Sequence, residues 1–165
     1  MLVVLAVVLV ADQVSKAIVM DTIPTDASYV PYSEGPKFFR FVHQRNPGLV
    51  GGLFSEHPSL TYVAPLAACL VLVYLFWHLD RRSRLQWISY GMIAGGAVGN
   101  IVDRVRLGSV TDFLQFHFYF IPFDFPWKYY PAFNLADSAI CVGVFLLMVS
   151  WYFVGQEPEH ASNAS

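Results

Sequence analysis

Charge is scarce in this sequence. Only 13% of its 165 residues are Asp, Glu, Lys or Arg, against about 25% in an ordinary soluble domain, and the shortfall excludes most water-soluble folds. The formal net charge of −2 is small and the basic residues are scattered, which leaves no electrostatic footprint for nucleic acid. Cysteine is nearly absent. Cys69 and Cys141 fall in the middle of apolar stretches, where they act as small hydrophobes, so no disulfide framework is expected. The histidines, His43, His57, His78, His117 and His160, have no HExxH or other ligand spacing, and neither a metal nor a cofactor is expected. The first apolar stretch lacks the basic n-region and the A-x-A ending of a cleavable signal peptide, and it reads as a first membrane span. Because that span begins almost at Met1, a short or trimmed leader is expected.

Apolar and aromatic residues are abundant instead, at 56% and 16%. A bilayer-crossing helix needs about 20 mostly apolar residues, and windows at about 2–20, 61–79, 87–105 and 132–154 qualify. One integral membrane domain is expected over 1–155, with a disordered polar tail at 156–165. The short link DRRSRLQ at 80–86 carries three arginines, which assigns it to the cytoplasm by the positive-inside rule. Both termini are then cytoplasmic, and both long loops face outward. The first long loop contains KFFRFVHQRNPGLVGGLF at 37–54, whose partial alternation and turn residues predict a short sheet. The second, 106–131, is crowded with aromatics, eleven from Phe113 to Phe133, which predicts an interfacial segment at headgroup level. The expected fold class is therefore an all-α membrane protein. It is a four-transmembrane-helix bundle with a small extracytoplasmic β-sheet from the first loop and an interfacial segment between helices three and four.

Ionisable residues inside a span are costly and mark function by default. Span one contains Asp12 and Lys16, span three Asn100, Asp103 and Arg104, and span four Asn134 and Asp137, while Asp112 follows span three. Chain reversal brings the late parts of spans one and three and the early part of span four to one membrane face, so these groups converge. Asp12 and Lys16 stand at i and i+4 with the acid first, the orientation that suits an intrahelical pair; their plainest role is structural. Asn134 could cap or bridge helices, Arg104 could snorkel to phosphate, and Gly95, Gly96 and Gly99 suit close packing. A structural role explains Asp112 and Asp137 less well. Asp137 has no basic residue at i±3 or i±4, and Asp112 stands between an apolar helix end and an aromatic run. Counted from Pro131, Asp137 sits roughly 9 Å along a helix, inside the membrane but shallow.

Two carboxylates in one pocket cannot both ionise cheaply, so they share a proton. One can then activate water while its protonated partner polarises a carbonyl. A serine–lysine dyad of Ser15 and Lys16 fails, because adjacent helical residues point about 100° apart. The rival from another class is a small proton-coupled transporter, which would need ionisable groups near the midplane or strung across the bilayer. The opposite halves of the spans carry none.

Five motifs in order, DQVSK at 12–16, NPG at 46–48, GGAVGNIVDR at 95–104, VTDF at 110–113 and FNLAD at 133–137, resemble the bacterial lipoprotein signal peptidases of type II. The resemblance implies a four-helix aspartyl endopeptidase of the inner membrane that cuts diacylglyceryl-modified prolipoproteins before the lipidated cysteine. It puts the catalytic aspartates at Asp112 and Asp137. Asn46, Gly48, Asn100, Asp103, Arg104, Val110, Asn134 and Ala136 are implied to line or support the substrate site, with Asp12 and Lys16 as structural support. It also implies lateral entry of substrate from membrane lipid, a site near the extracytoplasmic face, and inhibition by cyclic lipopeptides of the globomycin type. The segment between the two aspartates is longer and more aromatic than is usual in that family, and Val50-Gly51-Gly52 replaces an Ala-Phe-like stretch.

Overall fold

The computed structural model describes residues 1–31, 38–47, 60–80, 82–125 and 128–154. Along the chain run α1 (Leu2–Thr22), β1 (Ser28–Tyr29), β2 (Phe39–Asn46), α2 (Leu60–His78), α3 (Arg84–Leu107), β3 (Val110–Phe116) and α4 (Leu135–Val154). Gly48, the Gly51-Gly52 pair and the tail from 155 onward lie outside the described residues.

The helices are inside out relative to those of a soluble protein. On α1, Val3, Val7, Val10, Val14 and Ile18 are all more than half exposed and recur every three or four residues, so they form one stripe. The inward face carries Asp12, Lys16 and Val19, all buried. A water-soluble helix would reverse that arrangement. The pattern returns on α4 with exposed Val142, Phe145, Met148 and Tyr152, and on α2 with exposed Leu66, Leu70, Val73 and Trp77. Continuous apolar surface on this scale faces lipid or a partner. By length and apolarity α1 and α4 each suffice to cross a bilayer, whereas the apolar part of α2, Leu66–His78, is shorter.

The remaining helix, α3, is the hub, packed by α1, α2 and α4. Its own small residues make that possible. A Cβ on Gly95 would lie 2.8 Å from the Leu5 carbonyl oxygen of α1, and one on Gly96 would lie 2.5 Å from that of Ala136 in α4. From α4, Gly143 approaches α3 as closely, its Cβ position being 2.8 Å from the Ser89 oxygen. Ser83 caps the start of α3 by accepting from the Gln86 amide, and Gly108, at φ 69°, ends it in the left-handed conformation, a turn that glycine makes without a Cβ clash. The chain then enters β3 at once.

That strand corrects the expectation for the second loop. The sheet is antiparallel in the order β1-β2-β3, so its third strand comes from the 106–131 segment and not from the first loop. Strand-like alternation is hidden in VTDFLQF because Val110, Thr111, Asp112, Phe113 and Gln115 are all buried; with both faces covered, the period of two disappears. Beyond β3 the chain makes an aromatic excursion held by a His117–Tyr129 bridge, and it returns at Phe133, which bridges to Leu114. The Phe133 amide donates to the Leu114 oxygen at 3.0 Å, and the Phe113 and Leu114 amides both donate to the Phe133 oxygen. This bridge sets the entry to α4 beside the strand that carries Asp112. Helix α4 therefore begins at Leu135, later than expected, and Asp137 lies in its first turn.

Candidate active site

The polar residues singled out above come together at the junction of α1, α3, β3 and the start of α4, in two connected layers. The deeper layer is centred on Lys16, which is 1% exposed. Its Nζ lies 2.9 Å from Asp12 Oδ2 and 3.1 Å from Asp103 Oδ2, and it donates to Asn100 Oδ1 at 3.0 Å. Three acceptors match the three N–H bonds of the ammonium, which offsets the cost of burying the charge. The i,i+4 pair expected within α1 is present, but Lys16 also joins α1 to α3. Asp12 reaches further still, its Oδ1 accepting from the Ala136 amide of α4 at 3.0 Å. That amide is one of the helix N-terminal donors without an intrahelical partner, where an anion is favourable. Asp103 Oδ2 accepts from the Thr111 amide at 3.0 Å and so pins the start of β3 to α3.

Gln13 completes this layer. Its Nε2 lies within hydrogen-bonding reach of Asp12 Oδ2, Asp103 Oδ1 and the Gly99 carbonyl, at 3.1–3.2 Å. Counting only ionisable groups overlooks it. The signal for it is an amide side chain next to Asp12 in a mostly apolar helix. Gly99 matters for a different reason: a Cβ there would stand 2.5 Å from Asp12 Oδ2, so the carboxylate occupies the space a side chain would need.

The upper layer holds Asp112 and Asp137. Asp112 Oδ2 accepts from Asn46 Nδ2 of β2 at 3.0 Å, and its Oδ1 accepts from Asn134 Nδ2 at 2.8 Å. Asp137 Oδ1 accepts from Asn100 Nδ2 at 2.8 Å. Asn134 and Asp137 also form a reciprocal cap on α4. The Asp137 amide donates to Asn134 Oδ1 at 2.9 Å, and the Asn134 amide donates to Asp137 Oδ2 at 3.2 Å. This is the capping-box arrangement with Asn and Asp in place of Ser/Thr and Glu. Asn134, fully buried, thus bonds to both carboxylates at once, and Asn100 links them to the Lys16 layer. Burial pushes the Asp112 carboxyl up from its ordinary 3.8 to about 7, with the nearby Asp137 charge acting in the same direction. The hydrogen bonds from Asn46 and Asn134 and the charge of Lys16 oppose that rise.

The other predicted positions surround this pair. Val110, 3% exposed, pairs with Asn46 across β2 and β3 and aligns the asparagine with Asp112. Ala136 is fully buried between Gly96 and Asp12. Arg104 is half-buried and donates from Nη1 to the Asn100 carbonyl at 3.3 Å. The buried polar groups nearer the start of α3, Gln86, Ser89 and Ser150, are not ionisable. Among the described residues, no relay of titratable groups crosses the bundle, as a proton-coupled transporter would require.

Comparison with known proteins places nearly the whole chain beside one family. The family described as signal peptidase (SPase) II matches residues 4–153. The lipoprotein signal peptidase of Geobacter metallireducens (strain ATCC 53774 / DSM 7210 / GS-15) is 40% identical over 153 residues, covering 88% of this chain and 85% of that protein. That of Syntrophotalea carbinolica (strain DSM 2380 / NBRC 103641 / GraBd1) is 33% identical over 155 residues, covering 92% and 90%. Among solved structures, one bacterial membrane enzyme superposes with a TM-score of 0.75 at 26% identity, covering 95% of this chain and 90% of that one. A second reaches 0.68 at 25% identity, covering 90% of each. The transporter reading finds no support in these comparisons.

Proposed function

The chain belongs to the signal peptidase II family, and from that membership we propose that it cleaves diacylglyceryl-modified prolipoproteins before the lipidated cysteine with Asp112 and Asp137 as an aspartic dyad. The observation that carries this reading is Asn134, whose side-chain amide bonds to Asp112 while its backbone amide bonds to Asp137. A single residue fixes both carboxylates relative to each other, as preorganised catalysis requires.

The two carboxyls take complementary roles in this reading. Asp112, raised to about 7, keeps the proton that the pair shares and polarises the scissile carbonyl. Asp137 accepts a proton from water as the water oxygen attacks the carbonyl carbon. The resulting tetrahedral intermediate collapses with cleavage of the C–N bond, and the departing amine takes the proton held by Asp137. Asn46 and Asn100 hold the outer carboxylate oxygens, Arg104 balances the negative charge of the site, and Asp12, Lys16, Asp103 and Gln13 keep α1, α3, β3 and α4 in register. Gly48, two residues beyond Asn46, is assigned to the substrate edge by the resemblance alone.

All four helices cross the inner membrane in this reading, with both termini cytoplasmic and the sheet outside. Asp137 in the first turn of α4 then sits at headgroup depth, where the lipid-modified cysteine holds its scissile bond, and substrate enters laterally from lipid. Cyclic lipopeptides of the globomycin type would compete for the same place. The test is cleavage of a lipidated and an unlipidated precursor side by side in detergent. Asp112→Asn and Asp137→Asn should each lower kcat by about 10³-fold or more while the proteins remain folded. Processing of the lipidated precursor at the wild-type rate by either variant would rule out the dyad.

A further inference from the structure

A cavity of about 450 Å³ lies between the C-terminal end of α1 and the β1–β2 side of the sheet, within the usual range for small-molecule sites. Its walls are mainly apolar, with Ile18, Val19, Ala27 and Phe41 among them, and Thr22, Ser28 and Tyr29 are its polar lining residues. No charged side chain lines it among the described residues. Two features fix its relation to the rest of the molecule. First, Phe41 pairs directly with Leu114 across β2 and β3, so the two side chains share a sheet face. Asp112 precedes Leu114 by two residues on the same strand and therefore projects from that face as well, roughly 8 Å from Phe41 between Cα atoms. Second, Ile18 continues the exposed stripe of Val7, Val10 and Val14, so the cavity meets the apolar outer surface of α1.

We propose that this cavity receives an acyl chain of the substrate's diacylglyceryl group and makes the enzyme sensitive to chain length. The inference rests on the reading that the chain cleaves lipidated precursors. A peptide side chain would gain little from a half-open, uncharged apolar groove of this length, whereas a flexible hydrocarbon gains free energy along its length. Its ester oxygens can accept from the Tyr29 hydroxyl, while the Thr22 hydroxyl donates to the Ile18 carbonyl oxygen. The occupant is the substrate's own lipid because the cavity shares a sheet face with the reaction centre and lies beside it.

The experiment compares lipopeptides carrying palmitoyl or butyryl chains on one peptide sequence. Ala27→Phe fills the cavity from its wall, and Ser28→Trp fills it from the adjoining β1 position. Each should lower the palmitoyl-to-butyryl ratio of kcat/KM at least fivefold. An unchanged ratio in folded protein overturns the proposal. If neither variant folds, the unaltered enzyme is irradiated with a palmitoyl lipopeptide bearing a diazirine near the chain end. Labelling of residues 18–29 that unlabelled lipopeptide displaces supports the proposal. Labelling elsewhere, or labelling displaced by phosphatidylglycerol but not by lipopeptide, overturns it, the latter identifying a resident membrane lipid. The dyad has its own readout. Inactive Asp112→Asn with an unchanged chain-length ratio in Ala27→Phe defeats the subsite alone, whereas active Asp112→Asn defeats the reading beneath it.

Discussion

Asn46 donates a hydrogen bond to Asp112 at 3.0 Å. Its amide stabilises the charged form of Asp112, so replacing it with alanine raises the proton affinity of that carboxyl. If Asp112 holds the shared proton, activity on the alkaline side falls as that proton is lost, near pH 7 in the wild type. In Asn46→Ala the alkaline limb of kcat/KM should therefore move to higher pH; a limb that stays put would assign the proton elsewhere. The same carboxyl links activity to stability. Asp112 has a folded-state pKa of about 7 against an ordinary 3.8, so the folded state binds the proton more tightly than the unfolded chain. Its contribution is fully present below pH 3.8, is lost as pH rises through about 7, and is absent above that. Asp112→Asn removes this dependence. Its Tm relative to wild type should climb between about pH 4 and pH 7 and then level off, as thermal unfolding in detergent at a series of pH values would register.

At the scale of elements, the bundle depends on how closely α3 can approach its neighbours. Gly99 leaves room for Asp12 Oδ2, and Asp12 in turn holds both Lys16 and the first turn of α4. A methyl group at Gly99 forces the carboxylate away from the Ala136 amide. We expect Gly99→Ala to cost about 1–3 kcal/mol through overpacking and to lower kcat as well, because Asp137 sits on the turn that moves. Loss of Tm with full retention of kcat would mean that α4 is held by other contacts. The exposed apolar stripe of α1 makes a complementary prediction. Val10 is 60% exposed, so a helix in water would accept lysine there. In a membrane Val10→Lys should cost about 2.5–3.5 kcal/mol, measured as reduced insertion and yield.

For the whole molecule, the family, the apolar helices and the set of polar residues are legible in the sequence itself. Lipid imposes strong rules on sequence, since long apolar runs mark helices and every charge within them stands out against the background. Helix reversal alone implied that Asp12, Lys16, Asn100, Asp103, Asn134 and Asp137 would meet at one end. The third strand was not readable, because burial on both faces of β3 erased the alternation that reveals a half-exposed strand. Nor were the partners of Lys16, the reach of Gln13, or the way Asn134 fastens two carboxylates together. Composition and periodicity report the average surroundings of a residue along one element, and for a chain of long apolar helices that average is nearly enough to name the fold class. A hydrogen-bond network depends on distances held to within a few tenths of an ångström between residues as far apart in sequence as Asp12 and Ala136, and those distances exist only after the glycines of α3 have let three helices and a sheet close on one another.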